Sequence, residues 1–175
     1  MDTGKLNIKI WGLIGISVIT AWLLGFVIEA QAETIKCRTA GVVTKQEAVP
    51  VGDEGHLLGM TIREGLAFFE NGEIATYIAK SIWDATMGKS FKSNGYIFYK
   101  FEDGSTIVTT SDQRSIADPS GSFSSRITGE ILEGTGRFEG IKGGISTIGK
   151  QFPDVKGEAN KSSTDVIFTY TRSPM

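Results

Sequence analysis

The stretch that most limits what this chain can become is Glu133-Gly-Thr-Gly-Arg-Phe-Glu-Gly-Ile-Lys-Gly-Gly-Ile-Ser-Thr-Ile-Gly-Lys150, which holds six of the chain's 22 glycines. Apolar residues stand before, within and after them. Glycine reaches positive φ without a Cβ penalty and lets two backbones approach closely. The run predicts a corner: a strand arrives, the backbone makes a tight turn or a single helical turn around Arg137–Ile141, and a second strand leaves from Gly143.

Almost everything after Glu33 carries a compatible pattern. Ile35–Lys45 is rich in threonine and valine, which favour strands, and Ala48–Gly55 is a turn-rich connection. His56–Phe69 follows with Met60, Ile62, Glu64, Leu66 and Phe68 on one face, and it ends at Asn71-Gly72, a strong hairpin signal. Glu73–Thr86 places Tyr77, Ala79, Ser81 and Trp83 on one side and Ile74, Thr76, Ile78, Lys80 and Ile82 on the other. Tyr96–Phe101 is likewise apolar on both faces, and Asp103-Gly104 turns it into Thr106–Thr110. Ser111–Ser125, with six serines, Pro119 and Gly121, reads as a surface loop. Arg126–Glu133 enters the glycine corner, Gly143–Phe152 leaves it, Val155–Ser162 starts a last hairpin and Thr164–Arg172 closes it. No amphipathic helix of ten residues or more appears in this part. Seven or eight antiparallel strands with short turns imply a sandwich or an up-and-down barrel, and closure removes exposed edges. The expected fold is all-β, a closed antiparallel barrel of about eight strands after an N-terminal apolar signal or anchor helix.

That helix is expected in residues 1–32, apart from the barrel domain 33–175. Lys5 and Lys9 precede Ile10–Ile28, which carries no charge, and Ala30-x-Ala32 fits a small-residue cleavage site. The run also suffices for a bilayer span. A cleaved export signal and an uncleaved anchor through residues 10–28 both follow, and either puts the remaining chain outside the cytoplasm, periplasmic or secreted. Cys37 is the single cysteine, so no internal disulfide forms, and burial is its expected state. Net charge is −2 without a lysine or arginine run, so nothing suggests a nucleic-acid partner.

The order of features resembles the allene-oxide-cyclase-like barrel superfamily, which also contains the dirigent proteins. The residues that carry the likeness are Phe68-Phe-Glu-Asn-Gly72, Phe98-Tyr-Lys-Phe-Glu-Asp-Gly104 and, above all, Gly134-Thr-Gly-Arg-Phe-Glu-Gly140 followed by Gly143. The resemblance covers most of Ile35–Arg172 and implies the barrel fold. Its members include cyclases, radical-coupling guides and uncharacterised exported proteins. Neither the acidic and tyrosine residues of the plant cyclases nor the paired aspartates of dirigent proteins match positions here, so no catalytic residue is carried over.

The residues themselves spell out no reaction. Gly134-x-Gly136-x-x-x-Gly140 is one residue too long for a dinucleotide fingerprint, and Gly144–Gln151 lacks the Ser or Thr a phosphate loop needs after Lys150. His56 is the sole histidine and no Gly-x-Ser-x-Gly elbow accompanies it. One histidine and one cysteine make a poor zinc set, so no metal and no cofactor are expected. The charges Arg63, Glu64, Glu70, Lys80, Asp84, Glu130 and Arg137 read first as a solvated outer face with ion pairs; the alternative is that one or two point inward with Tyr77, Trp83, Tyr96 or Tyr99. Tyr77, Trp83, Tyr96, Tyr99 and Glu64 are the candidate ligand-binding residues, on the pattern of an apolar cavity with few polar groups. Three readings follow: a barrel binding a small hydrophobic ligand, a cyclase or isomerase acting on such a substrate, and a structural barrel. Apolar side chains on both faces of Tyr96–Phe101 also predict that a second subunit covers the outer wall, as a homo-oligomer.

Overall fold

The computed structural model of the protein describes residues 31–52, 55–87, 89–117, 123–151 and 161–172. The strands are β1 (Glu33–Pro50), β2 (His56–Phe69), β3 (Ile74–Thr86), β4 (Ser90–Phe101), β5 (Thr106–Ala117), β6 (Phe123–Gly134), β7 (Ile141–Gln151) and β8 (Lys161–Arg172). Each pairs antiparallel with its sequence neighbour, and β8 returns to β1, so the sheet is a closed eight-stranded barrel. The signal or anchor expected in residues 1–32 lies almost wholly outside the described residues. Among those residues no helix is long and apolar enough to cross a membrane.

Closure follows from local chemistry. Asn71 and Asp103 accept from the backbone N–H groups of Glu73 and Ser105, fixing the β2–β3 and β4–β5 turns, while Gly72 and Gly104 take positive φ. The glycine corner is as expected in kind: β6 ends at Gly134 and a single 3₁₀ turn spans Gly136–Phe138. β7 then starts at Ile141, two residues before the expected Gly143. Gly136 has φ 59°, and a Cβ there would press on the Ser105 hydroxyl. The Gly144–Lys150 phosphate-loop decoy is extended strand.

Some expectations need correction. β1 runs to Pro50, into the expected Ala48–Gly55 connection. Lys161 and Ser162 belong to β8, and the rest of the strand expected at Val155–Ser162 lies outside the described residues. Ser111–Ser125 is not a loop: β5 runs on to Ala117 and β6 begins at Phe123. Ser115 and Ser125 face into the barrel. They pair across β5 and β6 with their hydroxyls 2.7 Å apart, and the Gln113 amide donates to both. Hydroxyls that satisfy one another inside a barrel leave the strand without the apolar alternation by which strands are recognised.

The interior divides into two halves. At the end carrying the glycine corner, Phe69, Phe101, Phe138, Phe168, Tyr99, Ile107 and Ile141 form a dry core. Phe138 enters from the 3₁₀ turn and packs 4.8 Å from Phe101, and Tyr99 meets Phe168 edge to face at 5.1 Å. Cys37 is buried among them as a free thiol, as expected, and burial pushes its pKa up to about 12. Arg137 covers this end from outside, stacked on Phe101 and Phe138 and ion-paired with Glu73 and Asp103.

Candidate functional site

The other half of the barrel has a different lining. Its inward positions are mostly small or hydroxylated: Thr39, Ser93, Thr109, Ser115, Ser125, Thr147 and Ser162 are buried. Val43, Thr61, Arg63, Ser81, Phe91 and Gln113, on the same inward parity, keep partial exposure. The corner end is therefore closely packed, while several inward side chains of this half keep partial exposure. Packing does not require such a lining, because leucine or isoleucine would fill the space and hydroxyls add desolvation cost.

Two aromatic groups dominate this half. Trp83 faces Gly59 across β2–β3, where a Cβ would collide with the indole, so the glycine makes room for the ring. Trp83 donates from Nε1 to Thr61 Oγ1 at 2.9 Å and stacks on Phe91 at 5.9 Å. Deeper in, Tyr77 pairs with Gly65 and extends to Gly41, where a Cβ would overlap its hydroxyl. The hydroxyl reaches Thr39 and Ser162. Burial raises the Tyr77 pKa against the opposing effects of the Arg63 charge and of these hydrogen bonds. Tyr99 lies just below, 6.2 Å from Tyr77. Its pKa is raised well above the ordinary value by burial, then by Cys37 and Tyr77.

Arg63 is the one of the seven charges considered from the sequence that faces this half of the interior, and it was not among the candidate ligand-binding residues. It stands on β2 between Val43 and Ala79, with its parity toward the interior. Its Nε is buried with no hydrogen-bond partner in the protein, as are the Thr109 and Thr147 hydroxyls. Burial lowers its pKa, and the nearby Tyr77 hydroxyl partly offsets this. Among the described residues of this half, no carboxylate faces inward. One signal was available: Arg63 shares parity with Gly65, Ala67 and Phe69, and small residues mark the inside of a narrow barrel.

The structure thus brings together Tyr77, Trp83 and Tyr99 on the inside, and it separates Glu64 and Tyr96 from them. Correcting the expectation of convergence, both of the latter lie on the outer wall, because strand parity sends even-numbered residues of β2 and β4 outward. Tyr96 is 51% exposed and, with Ile82, Asp112 and Glu130, lines an open surface groove of about 660 Å³. His56 begins β2 and pairs its Nε2 with Asp84 at 3.0 Å on the outer face. Among the described residues, no three His, Cys, Asp or Glu side chains gather as a metal site would need.

No protein-family model matches the chain, and no curated protein is significantly similar to it in sequence. Among solved structures, the pterocarpan synthase dirigent protein GePTS1 superposes with a TM-score of 0.47 at 16% identity, covering 86% of this chain and 96% of its own. The pterocarpan synthase dirigent protein PsPTS1 gives 0.42 at 13% identity, covering 82% and 97%. Likenesses this distant decide neither the fold nor the function of this chain.

Proposed function

We propose that the protein is an exported barrel of the allene-oxide-cyclase-like kind that holds a small, largely hydrophobic molecule in the half lined by Tyr77, Trp83 and Arg63. One observation carries this reading: a single barrel is dry and aromatic at one end and hydroxylated, partly exposed and aromatic-rimmed at the other. Concave sites with a few placed polar groups among apolar walls suit small ligands. Kinship with that superfamily is supported by eight-strand closure around the Gly-x-Gly-Arg-Phe corner. Export is supported by the residue pattern of positions 1–32. The test is native mass spectrometry of the full-length protein, together with melting curves against a panel of aromatic and alkyl compounds. Copurified small molecules, or ligand-dependent rises in melting temperature that Trp83→Ala removes, are the expected result. A chain indifferent to the whole panel refutes the reading.

A second reading, a cyclase or isomerase, is favoured by the Tyr77–Arg63 pair, since a tyrosine beside a buried cation is a plausible proton-moving group. It predicts that Tyr77→Phe leaves binding intact and stops turnover.

We also propose that a second copy covers the outer wall of β2–β4. Leu66, Phe68, Ile74, Ile78, Ile82 and Phe98 are exposed there. Glu64 and Lys80 lie beside them on adjacent registers, so the patch carries both signs and suits a self-complementary contact.

A further inference from the structure

We propose that the molecule held in the barrel is a monocarboxylate, its carboxylate seated on the Arg63 guanidinium and its apolar body directed toward Trp83 and Phe91. This rests on the ligand-binding reading above and names its substrate class.

Arg63 is the only charged side chain that faces into this half among the described residues. Arg63 is mostly but not wholly buried, and a charge drawn partly out of water is stabilised by a partner of opposite sign. The outer carboxylates cannot serve. Glu64 is the next residue on the same strand and points the other way, and Asp84, Asp112 and Asp165 share the outward parity. Among the described residues the cation has no inward-facing acid beside it, and its Nε has no partner; a ligand carboxylate would supply the counter-charge. Tyr77 lies near it, and the inward Thr109 and Thr147 hydroxyls of β5 and β7 are also buried without a partner in the protein. A guanidinium offers parallel N–H groups that match the two oxygens of a carboxylate.

Charge matching selects within the anions. One guanidinium and neutral hydroxyls neutralise a single negative charge. A phosphate monoester carries nearly two at neutral pH, and would leave one uncompensated in a site of low polarity. The rest of the ligand is assigned by what lies between Arg63 and solvent. Trp83 and Phe91 form a stacked aromatic pair, suited to a flat or alkyl body and not to a second charge.

The test is calorimetric titration of the full-length protein with two matched pairs of probes: cinnamate against methyl cinnamate, and octanoate against methyl octanoate. The acids are expected to bind about tenfold or more tighter than their esters, the range for a hydrogen bond to a charged group. Arg63→Met should bring the ratio to about one while ester affinity stays within about threefold, and Arg63→Lys should retain part of the preference. Equal affinity of acid and ester for the wild-type protein overturns the inference and leaves the binding barrel standing. So does an acid preference that survives in Arg63→Met, or octyl phosphate binding tighter than octanoate. If no probe of either pair binds, the ligand-binding reading fails first. Should Arg63→Met not fold, as far-UV circular dichroism would show, the wild-type acid-to-ester ratio and Arg63→Lys decide the matter. The cinnamate and octanoate arms separate aromatic from alkyl acids.

Discussion

Replacing Phe138 with alanine tests whether the glycine corner is a lid on the core or only a connection. The ring is 4% exposed and packs 4.8 Å from Phe101. Arg137 stacks on both rings with its guanidinium carbon 4.8 Å from each centroid. Truncating a buried phenylalanine to alanine costs about 3–5 kcal/mol, transfer and cavity terms together. The upper part of that range applies, because the 3₁₀ turn is anchored by strands on both sides and cannot collapse into the gap, and because the Arg137 stack is lost as well. Against a total stability of about 5–15 kcal/mol this is a large fraction. At about 2–4 °C per kcal/mol for a chain of this size, a loss near 4 kcal/mol lowers the melting temperature by about 8–16 °C. Urea unfolding followed at 215 nm would measure it, with Phe138→Leu as the volume-conserving control, expected to cost under about 1.5 kcal/mol. A Phe138→Ala loss below about 1 kcal/mol, or equal losses for the two variants, would refute the lid argument.

Alkaline pH should weaken the barrel. The Cys37 thiol is raised by burial to about 12 in the folded protein from an ordinary 9.0. A raised acid stabilises fully below its unfolded value, so this contribution fades as pH climbs from about 9 toward 12. The urea midpoint should fall across that window, Cys37→Ala should reduce the fall, and iodoacetamide should label the native thiol far more slowly than the unfolded one at pH 8. Acid acts through the corner. The Glu73 carboxyl is held below its ordinary value by hydrogen bonds from Asn71 and then Arg137. Asp103 is lowered chiefly by the Ser105 backbone N–H. Depressed carboxylates stabilise above their unfolded pKa, about 4, and lose that contribution as pH falls through the folded values. Arg137→Met should therefore flatten the acid limb of the stability curve, while a limb identical to wild type would remove Arg137 from the account. On the outer wall, Phe98→Glu should shift native mass spectra from oligomer to monomer without lowering the melting temperature of the monomer. A monomeric wild-type protein would dispose of the covered-wall proposal.

Much of the fold was legible because its signals are local. Asn71-Gly72, Asp103-Gly104 and the run from Gly134 to Gly144 each need positive φ or close backbone approach, and they place three turns at one end of the barrel whatever the strands do. β2 was delimited correctly at His56–Phe69 by the turn residues on either side. The lone cysteine is buried, as its residue type suggested. The candidate site was half legible. Tyr77, Trp83 and Tyr99 are aromatic residues of one parity, whereas Tyr96 and Glu64 were grouped with them because β2–β4 are apolar on both faces. In such strands alternation cannot name the inner side.

What the residues alone determined is that this chain turns often and extends between turns, and that it carries one histidine and one cysteine. Which face is inside was decided only by closure, since a barrel wall is a collective property of eight strands in register. That choice turned Ser115 and Ser125 from part of an apparent loop into a lining. It also turned Arg63 from one surface charge among several into the cation of that half. Its meaning depends on the absence of an inward-facing acid among the described residues, and those residues come from strands far apart along the chain.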